Sequence, residues 1–281
     1  MSSTTASKPI RDAATVILLR EGSGGLETFM LCRHQRSGFL GGAHVFPGGK
    51  VDRSDVDPTW LGRIDQSPQE LVARLGESDP DLGLGLLVAS IRETFEEAGV
   101  LMAGVRTGVD LQSARAELLA GASFIELANA MDIHIEASVL TPYARWITPK
   151  METSRFDTRF FIAVLPESQP ASHDGSETTS AAWLEPDEAL QQMGRGEIKL
   201  APPTVRTLQW LRAFGDAASV IADASSRKPP LVRPEIVTGE AGWFLALPGD
   251  PEHSEDQAVL PGATRMTFDG TAWRDAPTPV R

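Results

Sequence analysis

The chain has 281 residues, 41% hydrophobic and 23% charged, which is enough material for one large globular core or two small ones. Its net charge of −12 argues against a nucleic-acid backbone as partner, because phosphate contacts demand clustered Lys and Arg. No apolar run approaches the roughly 18 residues of a membrane span. "MSSTTASKPIRD" lacks the apolar core of a signal peptide, "TPVR" is no peroxisomal address of the S-K-L kind, and the single cysteine, Cys32, forms no internal disulfide. The expected compartment is cytoplasmic.

In chain order, "AATVILLR" (13–20) predicts a buried strand, "EGSGG" a hairpin turn and "ETFMLCR" (27–33) a second strand. "GGAHVFPGGKVD" (41–52) then crowds four glycines and a proline around Phe46. Glycines let backbone N–H groups approach an anion, but an ATP-type loop, G-x-x-x-x-G-K-[ST], fails twice. The residue five before Gly49 is His44, and Lys50 is followed by Val51. Residues 53–83, rich in Asp, Pro and Gly, read as an inserted excursion with one short helix at 68–75. "LGLLVASIRETFEEAGVLM" (84–102) predicts a strong helix closed near Gly99.

Residues 110–131 predict one or two amphipathic helices, and "RFDTRFFIAVLP" (155–166) a strand. "AAWLEPDEAL" (181–190) reads as a strand running into a helix. "PPTVRTLQWLRAF" (202–214) is a helix with Thr204 as candidate N-cap and Val205, Leu208, Leu211 and Phe214 at helical spacing. After "SSRKPP" (225–230) come turn signals between short β-like runs. The fold class is α/β or α+β: a domain over 10–226 with insertions near 53–83 and 104–140, and a β-rich extension over 227–281.

The informative segment is "RETFEEAG" (92–99). At about 100° per residue, Glu93, Glu96 and Glu97 fall in one arc of the helix, with Leu87, Val88, Ile91, Phe95 and Ala98 opposite. Like charges at these spacings repel by a few tenths of a kcal/mol per pair, and only Arg92 is close in sequence to offset them. A charged run of this kind is either a solvated face or a site for hard divalent cations, which prefer carboxylate oxygen. An acidic site holds a polyphosphate when such ions lie between the two.

The glycine stretch followed by "RETFEEAGV" resembles the signature of the Nudix hydrolases, G-x5-E-x7-R-E-U-x-E-E-x-G-U with U aliphatic. Gly49, Arg92, Glu93, Glu96, Glu97, Gly99 and Val100 occupy matching positions. Gly49 and Arg92 stand much further apart than the motif requires, so the box is split by a long insertion, and Thr94 replaces an aliphatic residue. Asp55 has the family offset from Gly49, yet Asp52 is an alternative, and neither is assigned to the metal shell. A branch that includes peroxisomal coenzyme A diphosphatases is similar over "GFLGGAHVFPGGKVD", "IRETFEEAGVLM", "WITP…RFDTRFF" and "IKLAPPTVRTLQWL", spread across roughly residues 13–214.

The resemblance implies an α/β/α sandwich with a mixed sheet between helices. It also implies metal-dependent hydrolysis of a nucleoside diphosphate linked to another group, preferentially coenzyme A or acyl-CoA. Mg²⁺ or Mn²⁺ would be held by Glu93, Glu96 and Glu97, with Glu93 or Glu177 as base and Arg92 orienting a glutamate of the helix. Gly48 and Gly49 would let substrate phosphates approach that helix. ADP-ribose, nucleotide sugars and dinucleotides are the alternative substrates, and a Nudix-fold binding module without catalysis is the rival class.

Arg33 and Arg36 either grip the 3′-phosphate of coenzyme A or end a strand in solvent. Arg155, Asp157 and Arg159 share a strand face, to clamp substrate or pair with one another. His173, Asp174 and Glu177 lie in a polar loop of the kind that supplies a further carboxylate in this family. Tyr143 and Trp146 are stacking candidates for an adenine or else core, and Cys32 is packing. The expected partners are a small-molecule diphosphate and at most a homodimer, with neither nucleic acid nor membrane.

Overall fold

A computed structural model describes residues 9–37, 40–152, 154–239 and 242–278. Strand β1 (Arg11–Glu21) is buried on both sides, so it reads as a continuous apolar run. A hairpin leads to β2 (Leu26–Arg33), then come the short β3 (Ala43–Val45) and β4 (Gly48–Lys50). The first insertion holds 3₁₀ turns at Arg53–Val56 and Pro58–Arg63, then α1 (Pro68–Leu75).

Helix α2 (Pro80–Ala98) starts one turn before the predicted residue 84. Asp79 accepts hydrogen bonds from the Asp81 and Leu82 N–H groups and Pro80 takes the first helical position, so an Asp-Pro pair that reads as loop is a helix start. The second insertion follows with α3 (Leu111–Leu119) and α4 (Phe124–Met131). The two insertions pack on one another: the Trp60 and Phe124 rings lie 5.3 Å apart and Ile64 bridges to Ile135.

Next come β5 (Thr141–Ile147), β6 (Phe156–Val164), β7 (Thr178–Leu184), α5 (Pro186–Gly194), β8 (Lys199–Leu200), α6 (Pro202–Leu211) and α7 (Ala217–Ser225). Thr204 does not cap α6: Ala201 is the N-cap residue, and Thr204 is buried within the first turns. The described residues form a nine-stranded mixed sheet ordered β8-β3-β2-β1-β6-β5, then β9 (Leu231–Val232), with β7 against β2. Strand β1 runs parallel to β6, from Arg11 opposite Phe156 to Leu19 opposite Val164. Its other edge pairs first with β4, Thr15 opposite Gly48, and later with β2.

Val16 and Leu18 of β1 point to a core shared with Leu87, Ile91 and Phe95 of α2. Ile17 and Leu19 point to a second core with Ala189, Leu208 and Val220 of α5, α6 and α7. This is the α/β/α sandwich the resemblance implies. The tail adds an antiparallel sheet, β10 (Glu235–Gly239), β11 (Gly242–Ala246), β12 (Arg265–Phe268) and β13 (Trp273–Asp275), whose Leu245 and Met266 join the second core. No helix among the described residues is long and apolar enough to cross a membrane.

Candidate active site

The glycine stretch and the carboxylate helix meet. Gly48 has φ 156°, and a Cβ there would run into the Ala14 carbonyl oxygen of β1. Its backbone N–H donates to Glu97 Oε2 at 2.8 Å. At Gly49 a Cβ would occupy the position of the Glu93 carboxylate. Gly49 therefore makes room for an acid of α2, whereas Gly48 lets the chain lie close against β1 while its N–H holds Glu97.

Arg92 is buried and spends its donors on oxygen. Nε and Nη2 form a fork with Asp55 at 2.9 and 2.8 Å, Nη2 also reaches the Lys50 carbonyl at 3.0 Å, and Nη1 reaches Glu93 at 2.8 Å and Glu96 at 3.4 Å. The choice between Asp52 and Asp55 is thereby made in space: Asp55 is buried in the fork, whereas half-exposed Asp52 stays 3.8 Å from the guanidinium. Thr94 is buried at its aliphatic position because its hydroxyl donates to the Ser90 carbonyl at 2.7 Å.

Negative charge is left over. Burial pushes the Glu93 carboxyl up to about 7, with Arg92 opposing and Glu96 adding to the rise. Burial and the neighbouring Glu93 push Glu97 up to about 8, against the Gly48 N–H and Arg33. Glu96 is raised as well, by burial foremost. Asp55, Glu93 and Glu96 together hold the Arg92 proton above its ordinary range even though burial alone would release it.

Glu177 lies near enough to this group for its charge to add, as the smallest contribution, to the rise at both Glu96 and Glu97. Its place is fixed by Asp174, which accepts the N–H groups of Ser176, Glu177 and Thr178 at 3.0, 2.7 and 3.0 Å and the hydroxyls of Ser176 and Thr178. These bonds hold the Asp174 carboxyl well below the usual carboxylate range in spite of partial burial. The Glu177 carbonyl accepts from the His34 N–H at 2.9 Å, which ties the turn to the end of β2.

Arg33, at that end of β2, alternates with Leu31 and Phe29 and so lies on the sheet face that α2 covers. Its Nε is buried without a hydrogen-bond partner. Arg36 is exposed in the following turn, where His34 Nδ1 accepts its backbone N–H at 3.0 Å. Arg155 is buried in the β5–β6 hairpin with Nε donating to the Thr148 carbonyl at 3.3 Å, and among the described residues no hydrogen bond or ion pair joins it to α2. Arg159 and Asp157 pair at 3.3 Å inside a larger cluster with Asp12, Glu77 and Arg145. Tyr143 and Trp146 are core, the former 4.9 Å from the Trp210 ring, and neither offers a free face to a base.

Among the described residues no three His, Cys, Asp or Glu side chains converge as a ready-made metal-ligand set. The chemistry of the donors nonetheless fits a hard divalent cation: Glu97 is a buried oxygen donor and Glu93 a largely buried one, the charge of Glu93 raises the proton affinity of Glu97, and a cation relieves that repulsion as a proton does. Sequence reasoning missed Arg115 of α3, which donates to the Glu96 and Glu97 carbonyl oxygens at 3.0 and 2.9 Å. No local pattern announces it, because the contact runs from the second insertion back to the end of α2.

A family model describing the NUDT19 Nudix domain matches residues 73–211. An acyl-coenzyme A diphosphatase NUDT19 of Xenopus laevis is 30% identical over 273 residues, covering 82% of this chain and 72% of its own. The acyl-coenzyme A diphosphatase NUDT19 of Homo sapiens is 29% identical, covering 84% and 74%. A solved NUDIX hydrolase from Alicyclobacillus acidocaldarius superposes with a TM-score of 0.66 at 28% identity, over 80% of this chain and 99% of that one.

Proposed function

This chain belongs to the Nudix hydrolases, in the branch of the NUDT19 Nudix domain, and we propose that it cleaves the diphosphate of coenzyme A and its acyl thioesters. The products would be 4′-phosphopantetheine, or its acyl form, and adenosine 3′,5′-bisphosphate. Two named relatives carry the substrate class. The observation in this chain that supports it is Arg33: a half-buried guanidinium with an unpartnered Nε, on the sheet face of the catalytic helix. An extra 3′-phosphate distinguishes coenzyme A from ADP-ribose and nucleotide sugars, and arginine is suited to grip it bidentately.

Nudix hydrolases work with divalent metal ions, here Mg²⁺ or Mn²⁺ held by Glu93, Glu96 and Glu97. Such an ion supplies charge neutralisation of the diphosphate and a lowered pKa for the attacking water. Arg92 holds the Glu93 and Glu96 carboxylates in position through one nitrogen while Asp55 fixes its other side. Gly48 orients Glu97 by its N–H. Glu177 is the base: it is exposed, its turn is anchored by Asp174, and among the described residues no ion pair engages its carboxylate. Glu93, bound to Arg92, serves better as ligand.

A panel of diphosphates incubated with Mg²⁺ or Mn²⁺, with products resolved by chromatography, tests the reading. Coenzyme A should exceed dephospho-coenzyme A by about ten- to a hundredfold in kcat/KM, the worth of a charge-assisted contact. Replacing Arg33 and Arg36 should shrink that preference without altering cleavage of ADP-ribose. Equal rates on the two coenzymes, or faster cleavage of ADP-ribose, would sink the coenzyme A assignment. Glu177→Gln should depress kcat more than metal affinity and remove the acidic limb of the pH–rate profile.

A further inference from the structure

The second insertion reaches back to the end of α2 through one side chain. Arg115, half-buried on α3, directs Nε and Nη2 at the carbonyl oxygens of Glu96 and Glu97. The same guanidinium donates Nη1 to Ser172 Oγ at 3.0 Å and Nη2 to the Ser172 carbonyl at 2.9 Å. The last carbonyls of a helix lack partners and carry partial negative charge, so a cation there is favourable on both counts. Capping alone would engage only the helix. Here half of the fork holds the loop between β6 and β7 instead.

That loop is fastened to the helix end at further points. The Ser172 N–H donates to the Ala98 carbonyl at 2.9 Å. The Gln169 amide brackets Leu101, accepting from its N–H at 2.8 Å and donating to its carbonyl at 3.0 Å. Two residues beyond Ser172 stands Asp174, which organises the turn bearing Glu177. Gly99, at φ 71°, leaves room for the guanidinium, since a Cβ would lie 2.7 Å from Arg115 Nη1. A continuous path of bonds therefore runs from the backbone of Glu96 and Glu97, through Arg115 and Ser172, to the turn of Glu177.

We propose that Arg115 is a positioning residue for hydrolysis: its planar fork ties the Glu177 turn to the C-terminus of the carboxylate helix and sets the separation between Glu177 and the Glu96–Glu97 pair. The inference rests on the roles given above to those glutamates. A lysine can place a charge at the helix end but cannot span four acceptors lying in two segments. Arg115→Lys thus separates capping from bridging.

The test uses the full chain and whichever diphosphate it cleaves best, so that a failed coenzyme A assignment does not confuse the result. Arg115→Lys should lower kcat about tenfold with KM within about twofold, since misplacement of a catalytic group acts on the chemical step. In a Glu177→Gln background the same change should cost less than about twofold, because the group it positions is already gone. Hydrogen exchange in metal-free protein should show faster exchange at Ser176, Glu177 and Thr178 with the melting temperature unchanged. An equal loss of kcat in both backgrounds, or unaltered exchange in this turn, would overturn the proposal and leave Arg115 a helix cap. Should Glu177→Gln by itself leave kcat intact, the base assignment fails instead. The exchange result then decides alone: a loosened turn supports the brace and a protected one overturns it.

Discussion

Two clusters of buried charge lie on one face of the main sheet, and they are balanced differently. Near the start of β6, Arg145 and Arg159 meet Asp157, Glu77 and the half-exposed Asp12, with Arg145 bound to Asp157 by 2.8 and 2.6 Å hydrogen bonds. The Asp157 bond foremost raises the proton affinity of Arg145, the sign of a pair content as ions. Around α2, Asp55, Glu93 and Glu96 share one arginine within bonding distance while Glu97 is held by the Gly48 N–H, and the glutamates shift toward the protonated form. In the cluster that joins an insertion to the sheet, the buried charges neutralise one another, Arg145 and Arg159 against Asp157 and Glu77, with Asp12 left partly in solvent. A cluster left with surplus negative charge has a place for a cation, which is why perturbed groups mark functional sites.

The contrast can be broken most forcefully at the balanced cluster. Arg159→Met removes one partner of a buried pair and leaves Glu77 and Asp157 to share Arg145 alone. It should lower unfolding free energy by roughly 3–5 kcal/mol while turnover per folded molecule stays the same. Denaturant titration beside active-site-normalised kcat checks both halves; a large fall in kcat with intact stability would make this cluster part of the site.

At the unbalanced cluster the signs should reverse. Glu97→Gln should cut hydrolysis by at least about a hundredfold, through loss of a ligand charge, with the fold intact. The amide still accepts from Gly48, so the metal-free protein should become no less stable. Near wild-type turnover in the folded variant would remove the metal site from this helix.

A third test is a pH dependence. The folded pKa values of Glu93 and Glu97, about 7 and about 8, lie above the unfolded value of 4.5. The stability these two groups contribute is therefore fully present below pH 4.5 and is lost as pH rises through 7 to 8. Each pH unit that separates a folded value from its unfolded one is worth about 1.4 kcal/mol. Thermal unfolding in chelator should show this decline, and Mg²⁺ or Mn²⁺ should cancel it. An equal metal-induced gain at pH 5 and pH 8 would contradict the surplus-charge picture.

Much of this site is legible in the sequence because its chemistry is local. Glu93, Glu96 and Glu97 share a face by helical spacing alone, Gly99 ends the helix by its left-handed conformation (φ 71°), and the apolar stripe of Leu87, Ile91 and Phe95 buries the other side. The sandwich, too, follows from long runs, the continuous apolar one of β1 and the helical spacing of α6. Strands of two or three residues, β3, β4, β8 and β9, carry too little periodicity to read, and only their neighbours' edges create them.

Tertiary structure decided what depends on distance across the chain. Whether Asp52 or Asp55 meets Arg92 turns on a 3₁₀ turn at Arg53–Val56 that carries Asp55 inward and leaves Asp52 at its rim. That the glycines hold acids of the helix, Gly48 by its N–H and Gly49 by its missing side chain, appears only once β4 is laid against β1. Arg115 is illegible for the same reason. Helical periodicity records which residues share a face, but a hydrogen bond between α3, the end of α2 and a loop beyond β6 is specified by packing of segments far apart in the chain.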